Sequence, residues 1–233
     1  MKILAMDSSA VAASVALCED GRLLGESTIL NGNTHSQTLL PMVEALLAQF
    51  EISTDEIDLF AVSNGPGSFT GVRIGVATLK GLAFGKNKPC VGVSTLEALA
   101  NNLSVTDGLI CPVMNARRKQ VYTALFRAKD GTLERLLPDS AMAISELDEL
   151  LKDYNEPIRL VGDGYDVTLE GLTVKTVAVP DRLRHQSAYS VAQAALIAYQ
   201  SGKTQTDIST VATYLRPSQA ERERLEREKQ SKE

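Results

Sequence analysis

The 233-residue chain predicts an α/β fold, and three observations carry that expectation. Short strand-like runs joined by a hairpin turn open the chain. Strands and helices then alternate, and a glycine-rich loop joins one strand directly to the next helix. Apolar residues make up 44% of the chain, enough for a sizeable core, and the length allows one large domain or two small ones.

Lys2 to Ser8 alternates apolar and small or polar residues and reads as a first strand. Ala12 to Cys18 is a second, Glu19-Asp20-Gly21 a hairpin turn, and Leu23 to Leu30 a third. After the break at Asn31-Gly32-Asn33, a helix is expected from about Ser36 to Phe50. Its stripe is Leu39, Val43, Leu46 and Phe50, widened by Leu40 and Leu47, with Pro41 in the first turn or at a kink. The strand at Leu59 to Ser63 runs into Asn64-Gly-Pro-Gly-Ser-Phe-Thr-Gly-Val-Arg-Ile-Gly75 and then a helix of small residues to Gly85. Pro89 to Val93 is a short strand. Ser94 and Glu97 form a capping box that opens a helix to about Leu103.

A second pattern starts near Val105. Leu109 to Met114, Val121 to Ala128 and Leu133 to Ala143 read as strands, with a turn at Asp130-Gly131. Ser145 is expected to cap a helix to Tyr154 with Leu147, Leu150 and Leu151 on one face. Ile158 to Val161 is a strand ending in Gly162-Asp163-Gly164, and Ser190 to Ser201 is an alanine-rich helix. Val211, Tyr214 and Leu215 mark the last apolar element. From Glu221 the chain is charged without an apolar stripe, a solvated helical tail or disorder. The expected lobes are 1–103 plus about 209–220, and 104–208, followed by the tail at 221–233. No internal repeat of 20–50 residues is evident.

A glycine loop between strand and helix places backbone N–H groups at a helix N-terminus, which favours an anion, usually phosphate. Gly65, Gly67 and Gly71 permit positive φ and close approach, and Pro66 biases Gly65 towards an extended shape. The string matches neither G-x-G-x-x-G nor a P-loop. A tight turn that lets a helix pack closely on a sheet is the other reading. Ser68 and Thr70 can bind a phosphate or bond within their own loop. Asp7 follows the first strand and can bond to nearby backbone N–H groups.

The net charge of −5 argues against unaided binding of nucleic acid. The one compact basic cluster, Arg117-Arg118-Lys119, is a solvated loop or an anion or RNA contact. Cys18, Cys90 and Cys111 are odd in number and widely spaced, as free buried thiols of a reducing cytoplasm would be. Met1 to Asp7 reaches a carboxylate too soon for a secretory signal, and no apolar run reaches the roughly 18 residues of a membrane span. His35 reads as a cap or subunit contact, and no G-x-S-x-G elbow is present.

Several strings together carry a family resemblance: Asp7-Ser8-Ser9, His35-Ser-Gln-Thr-Leu-Leu-Pro41, Gly65 to Gly75, Ala116-Arg117-Arg118, Gly162-Asp163-Gly164 and Tyr214-Leu215-Arg216. From Met1 to Ala220 the chain resembles the TsaB (YeaZ) family of the actin-like ATPase superfamily. The resemblance implies an actin-like, ribonuclease H-like fold of two lobes, each a mixed sheet flanked by helices. It implies a non-catalytic subunit that binds and activates a TsaD-type transferase, together with a TsaE-type ATPase, in threonylcarbamoyladenosine modification of tRNA. The tRNA would be met only through the complex. Cofactors are not required, and ATP or ADP could join at the assembled complex. Leu39, Val43, Leu46, Leu47, Val72, Val76 and Leu79 would face the partner, or a second copy when the chain is alone. Asp7, Gly65, Gly67, Ser68, Gly162 and Gly164 would form a nucleotide or phosphate site.

TsaD-type paralogues carry H-x-x-x-H, whose two histidines share one helix face and can hold a metal. Thr95 and Leu99 take those positions here, so neither a bound metal nor a catalytic residue is expected. The family's Asp-Ala-Arg is Asn115-Ala116-Arg117, which removes a negative charge. The rival readings are a nucleotide-hydrolysing enzyme such as a diverged kinase, a glycopeptidase-like hydrolase, and an interaction protein that binds no nucleotide.

Overall fold

A computed structural model describes residues 1–32 and 34–216, so the charged tail lies outside the described residues. Strands β1 (Lys2–Asp7), β2 (Ala13–Glu19) and β3 (Arg22–Ile29) form an antiparallel meander. Its first turn places Asp20 and Gly21 at φ 50° and 79°, the left-handed pair a tight hairpin needs. Helix α1 (His35–Gln49) crosses over to β4 (Leu59–Gly65), and α2 (Phe69–Ala83) to β5 (Cys90–Ser94). Both β4 and β5 run parallel to β1, giving the sheet order β3-β2-β1-β4-β5.

The same plan recurs downstream. After α3 (Thr95–Asn101), β6 (Gly108–Asn115), β7 (Gln120–Lys129) and β8 (Thr132–Ala143) form a second antiparallel meander, with Asp130 and Gly131 at φ 50° and 75° in its second turn. Helix α4 (Ile144–Lys152), β9 (Ile158–Val161), α5 (Tyr165–Leu169) and β10 (Thr176–Val177) complete a sheet ordered β8-β7-β6-β9-β10. The fold is therefore α/β, with the ribonuclease H-like strand order present twice, as the actin-like resemblance implied. No repeat is visible in the sequence because only the pattern of apolar and turn residues is duplicated.

Two helices cross between the lobes. Leu96, Leu99 and Leu103 of the α3 region pack into the core of the second sheet, although they precede residue 104. Helix α6 (Ala188–Gln200) returns to cover the first sheet, where Val191 and Ala195 meet Ile3, Ala5 and Ala61. Each sheet has an apolar face to hide, and these neighbouring helices supply the cover. The 103/104 division thus separates the sheets but not the helices.

Local expectations differ at several points. Pro41 lies in the second turn of α1, on its exposed side, because the helix starts at His35. Helix α4 starts at Ile144, whose N–H donates to Lys119 O (3.1 Å), so Ser145 is an exposed first-turn residue and caps nothing. Burial of Ile144 decides that start. Ser94 Oγ does accept the Glu97 N–H (3.3 Å), but the Glu97 carboxylate turns away to Arg135 (2.8 Å), leaving half a capping box. Helix α5 and strand β10 are too short to leave a periodic signal.

All three thiols are buried and unpaired. Burial pushes Cys18 and Cys111 up to about 12 and Cys90 to about 11. Among the described residues no helix is long and apolar enough to cross a membrane.

Candidate functional site: the cleft between the two sheets

Asp7 ends β1, and the parallel pairing of Met6 with Val62 brings it beside Ser63 at the end of β4. The carboxylate is 0% exposed and accepts three hydrogen bonds: from the Ser9 N–H (2.8 Å), from Ser9 Oγ (2.6 Å) and from Ser63 Oγ. Burial pushes its pKa above the ordinary carboxylate value, and the Ser63, Ser9 and His35 interactions oppose that shift. His35 Nε2 meets Ala10 O at 2.6 Å, while its Nδ1 is buried without a partner. The histidine therefore ties the start of α1 to the β1–β2 loop.

The glycine loop packs against that same loop. A Cβ at Gly67 would overlap Ser9 O, and one at Gly71 would overlap Ser8 O. The Ser68 N–H donates to Ser9 O (2.7 Å), and Ser68 Oγ caps α2 by accepting the Gly71 N–H (3.3 Å). Gly65 lies at φ +121°, not in the ordinary extended region expected from Pro66. A side chain there would overlap Thr213 O of the returning C-terminal segment.

The second lobe answers across the cleft. The Asn115 N–H at the end of β6 donates to Asp163 Oδ1 (3.2 Å), and the Gly164 N–H donates to Val113 O (3.0 Å). Gly162, at φ +115°, is the counterpart of Gly65, and a Cβ there would overlap Val113 O. Asp163 opens on the cleft yet is hemmed in by protein. Desolvation raises its pKa, the Asn115 N–H opposes this, and the Asp7 charge adds to it. A cleft of about 600 Å³ separates the walls, lined by Ser9, Ser68, Thr70, Asn115, Arg117 and Asp163.

A strap from Gln205 to Arg216 closes one side. Gln205 bridges Cys90, the Thr213 N–H donates to Asn64 O (2.7 Å), and Asn64 Nδ2 donates to Val211 O (3.0 Å). Tyr214 stacks on Phe69 at 4.4 Å with rings 7° apart, and Arg73 Nε donates to its hydroxyl (2.8 Å). The Arg216 guanidinium sits 5.8 Å from the Tyr122 ring across the cleft mouth. The expected return of this element to the first lobe is legible in the sequence, but the contacts that fasten it are not. The Tyr214-Leu215-Arg216 string was the only signal.

Of the six residues assigned to a nucleotide or phosphate site, Gly67 and Ser68 line the cleft, whereas Asp7, Gly65, Gly162 and Gly164 are buried behind its walls. The seven residues assigned to a partner interface require correction. Leu39, Val43, Leu46, Leu47, Val72, Val76 and Leu79 are all buried in the core between α1, α2 and the first sheet. Two helices packed on a sheet and on each other absorb a wider apolar stripe than one lone contact would. Their outward face carries Leu40, Pro41, Ala45, Ala48, Ala77 and Gly81 instead. Thr95 and Leu99 are buried too, with Thr95 Oγ1 unpartnered. Among the described residues, no group of three or more His, Cys, Asp or Glu side chains could hold a metal ion.

A family model described as TsaD, tRNA N6-adenosine threonylcarbamoyltransferase, matches residues 30–222. The tRNA threonylcarbamoyladenosine biosynthesis protein TsaB of Bacillus subtilis (strain 168) is 37% identical over 177 residues, 76% of each chain. Its namesake in Escherichia coli (strain K12) is 39% identical over 133 residues, 56% of this chain and 57% of that protein. The solved structure of YeaZ from Pseudomonas aeruginosa superposes with a TM-score of 0.81 at 27% identity, covering 92% of this chain and 99% of that one.

Proposed function

This chain belongs with the TsaB proteins of the TsaD family, and on that premise we propose that it is an accessory subunit of tRNA threonylcarbamoyladenosine biosynthesis. It binds a TsaD-type transferase and activates it, together with a TsaE-type ATPase, without performing the transfer itself. One observation carries the non-catalytic reading. Asp7, the carboxylate placed where an active relative would organise metal and water, is fully buried and engaged by donors of its own lobe. The buried Thr95 and Leu99, at the paralogue histidine positions, supply no metal-ligating pair to replace it.

The docking surface follows from the correction above. It is the outward face of α1 and α2, where small residues and Leu40 allow close helix packing. Without its partner the same face pairs with a second copy. Nucleotide is not required. The hydroxyls of Ser68 and Thr70 beside Arg117 fit a phosphate group, so ATP or ADP can join at the assembled complex. The tRNA is held through that complex.

The test mixes the purified chain with the TsaD-type protein of the same organism. Size exclusion with light scattering reads association, and transfer of threonylcarbamoyl from its adenylate to tRNA, with the TsaE-type protein present, reads function. A heterodimer whose activity neither protein has alone supports the proposal. A chain that stays apart and turns over ATP unaided overturns it.

A further inference from the structure

The β6–β7 turn has backbone geometry that its sequence does not require. Arg117, Arg118 and Lys119 lie at φ 62°, 54° and 56°, three successive left-handed residues without a glycine among them. Each crowds its Cβ against the following carbonyl, so such runs persist only where the surroundings impose them. Four hydrogen bonds do so. The Arg117 N–H donates to Asn115 Oδ1 (2.8 Å) and the Gln120 N–H to Arg117 O (3.1 Å). The Ala116 N–H donates to Gln120 O (2.9 Å) and the Ile144 N–H to Lys119 O (3.1 Å). The tip is thus seated on the cleft wall through Asn115, which also binds Asp163.

The charges on this tip are three cations side by side in the chain. Acidic residues outnumber basic ones, 29 to 24. Elsewhere Lys86, Arg127, Arg135 and Lys152 each find a carboxylate. Arg117, Arg118 and Lys119 are exposed, and among the described residues none forms an ion pair. Three adjacent uncompensated cations repel one another and are relieved by an anion. Arg117 lines the cleft with Tyr122, and the Arg216 guanidinium lies over the Tyr122 ring. Cations beside aromatic faces are the contact chemistry of single-stranded nucleic acid, in which phosphates meet charge and bases meet rings.

We infer that Arg117, Arg118 and Lys119, with Arg216 and Tyr122 beside them, form an RNA-contact site at the mouth of the cleft. The choice of RNA over other polyanions rests on the proposed role in tRNA modification. The site itself rests on the turn. In the assembled complex it would add a foothold on the RNA backbone to whatever the catalytic subunit supplies. Alone it binds weakly, because the molecule's net negative charge opposes RNA.

The test uses the isolated full chain, so it does not depend on whether a TsaD-type partner binds. Fluorescence anisotropy follows a labelled RNA stem-loop, from about 20 to about 300 mM salt, with wild type and with an R117E/R118E/K119E variant. The three positions are exposed, and circular dichroism and a melting curve check the fold. A second variant, R117K/R118K/R216K, keeps the charge. The expected result is salt-sensitive binding that weakens about tenfold or more in the Glu variant, with a salt slope shallower by about 2, and that survives in the Lys variant. Unchanged RNA affinity in the Glu variant overturns the inference, as does no binding by wild type at the lowest salt. Equal affinity for polyglutamate also overturns it, because the tip would then accept any polyanion. Equal affinity for ATP overturns it in favour of a free-nucleotide site. A wild-type chain that binds no RNA yet forms the TsaD complex would sink this inference alone. Loss of the complex with RNA binding intact would sink only the accessory-subunit reading.

Discussion

Asp7 shows how a residue typical of a reactive site can become part of the framework. Its carboxylate has no exposed surface, and the three hydrogen bonds it accepts come from Ser9 and Ser63. Burial raises its folded-state pKa above the unfolded value. The folded protein therefore holds this proton more tightly than the unfolded chain does. The contribution of Asp7 to stability is greatest below the unfolded pKa of about 3.9 and declines as pH rises through the raised value. In Asp7→Asn this ionisation is absent. Denaturant midpoints measured from about pH 3.5 upward should thus shift progressively in favour of the variant relative to wild type. Parallel midpoint curves would show that Asp7 does not titrate in this way. The glycines of α2 offer a second contrast. Gly71→Ala drives a methyl into Ser8 O and should cost about 2 kcal/mol or more. At Gly81 a methyl group would meet nothing within 4 Å, and Gly81→Ala should gain about 0.5–1 kcal/mol from helix propensity. Thermal melts of the pair check both signs.

At the scale of the element, α1 and α2 separate what periodicity can say from what it cannot. The apolar stripe of α1 was legible, as was the small-residue character of α2. Which neighbour each residue meets was not legible, since a sheet and a partner subunit impose the same requirement for apolar surface. Val43 is 1% exposed and Val76 7%, so a charge at either position is a buried charge in the monomer. Val43→Asp should unfold the chain or cost about 4 kcal/mol or more. Leu40, 42% exposed on the outer side of α1, is the informative position. Leu40→Glu should change stability by no more than about 0.5 kcal/mol while weakening partner association about tenfold. Unfolding by denaturant and association by light scattering read the two effects separately. Retained association would place the docking face elsewhere.

Across the whole molecule, the returning strap joins the chain's end to its most informative loop. Asn64 holds it three times, accepting the Thr213 N–H at its backbone carbonyl and donating from its amide to Val211 O and to Thr213 Oγ1. Gly92, on the adjacent strand, leaves room for that amide, since a Cβ there would press on Asn64 Nδ2. Asn64→Ala should cost about 1–2 kcal/mol and speed exchange of the Thr213 amide and cleavage within 205–216. Hydrogen exchange and limited proteolysis measure this, and unchanged protection would show that Asn64 does not anchor the strap. Neighbouring residues alone were enough to specify the strands and most helices, the two turns at Asp20-Gly21 and Asp130-Gly131, and the strand–loop–helix at Gly65. These depend on periodicity and on φ preferences, which are local properties of the chain. Packing in three dimensions was needed to settle that α3 and α6 exchange sheets, that Leu39, Val43, Leu46 and Leu47 of α1 are core, that Asp7 is satisfied from within and that the Arg117 turn is left-handed. Each of those depends on which distant residue fills the space beside it, and local sequence does not encode that partner.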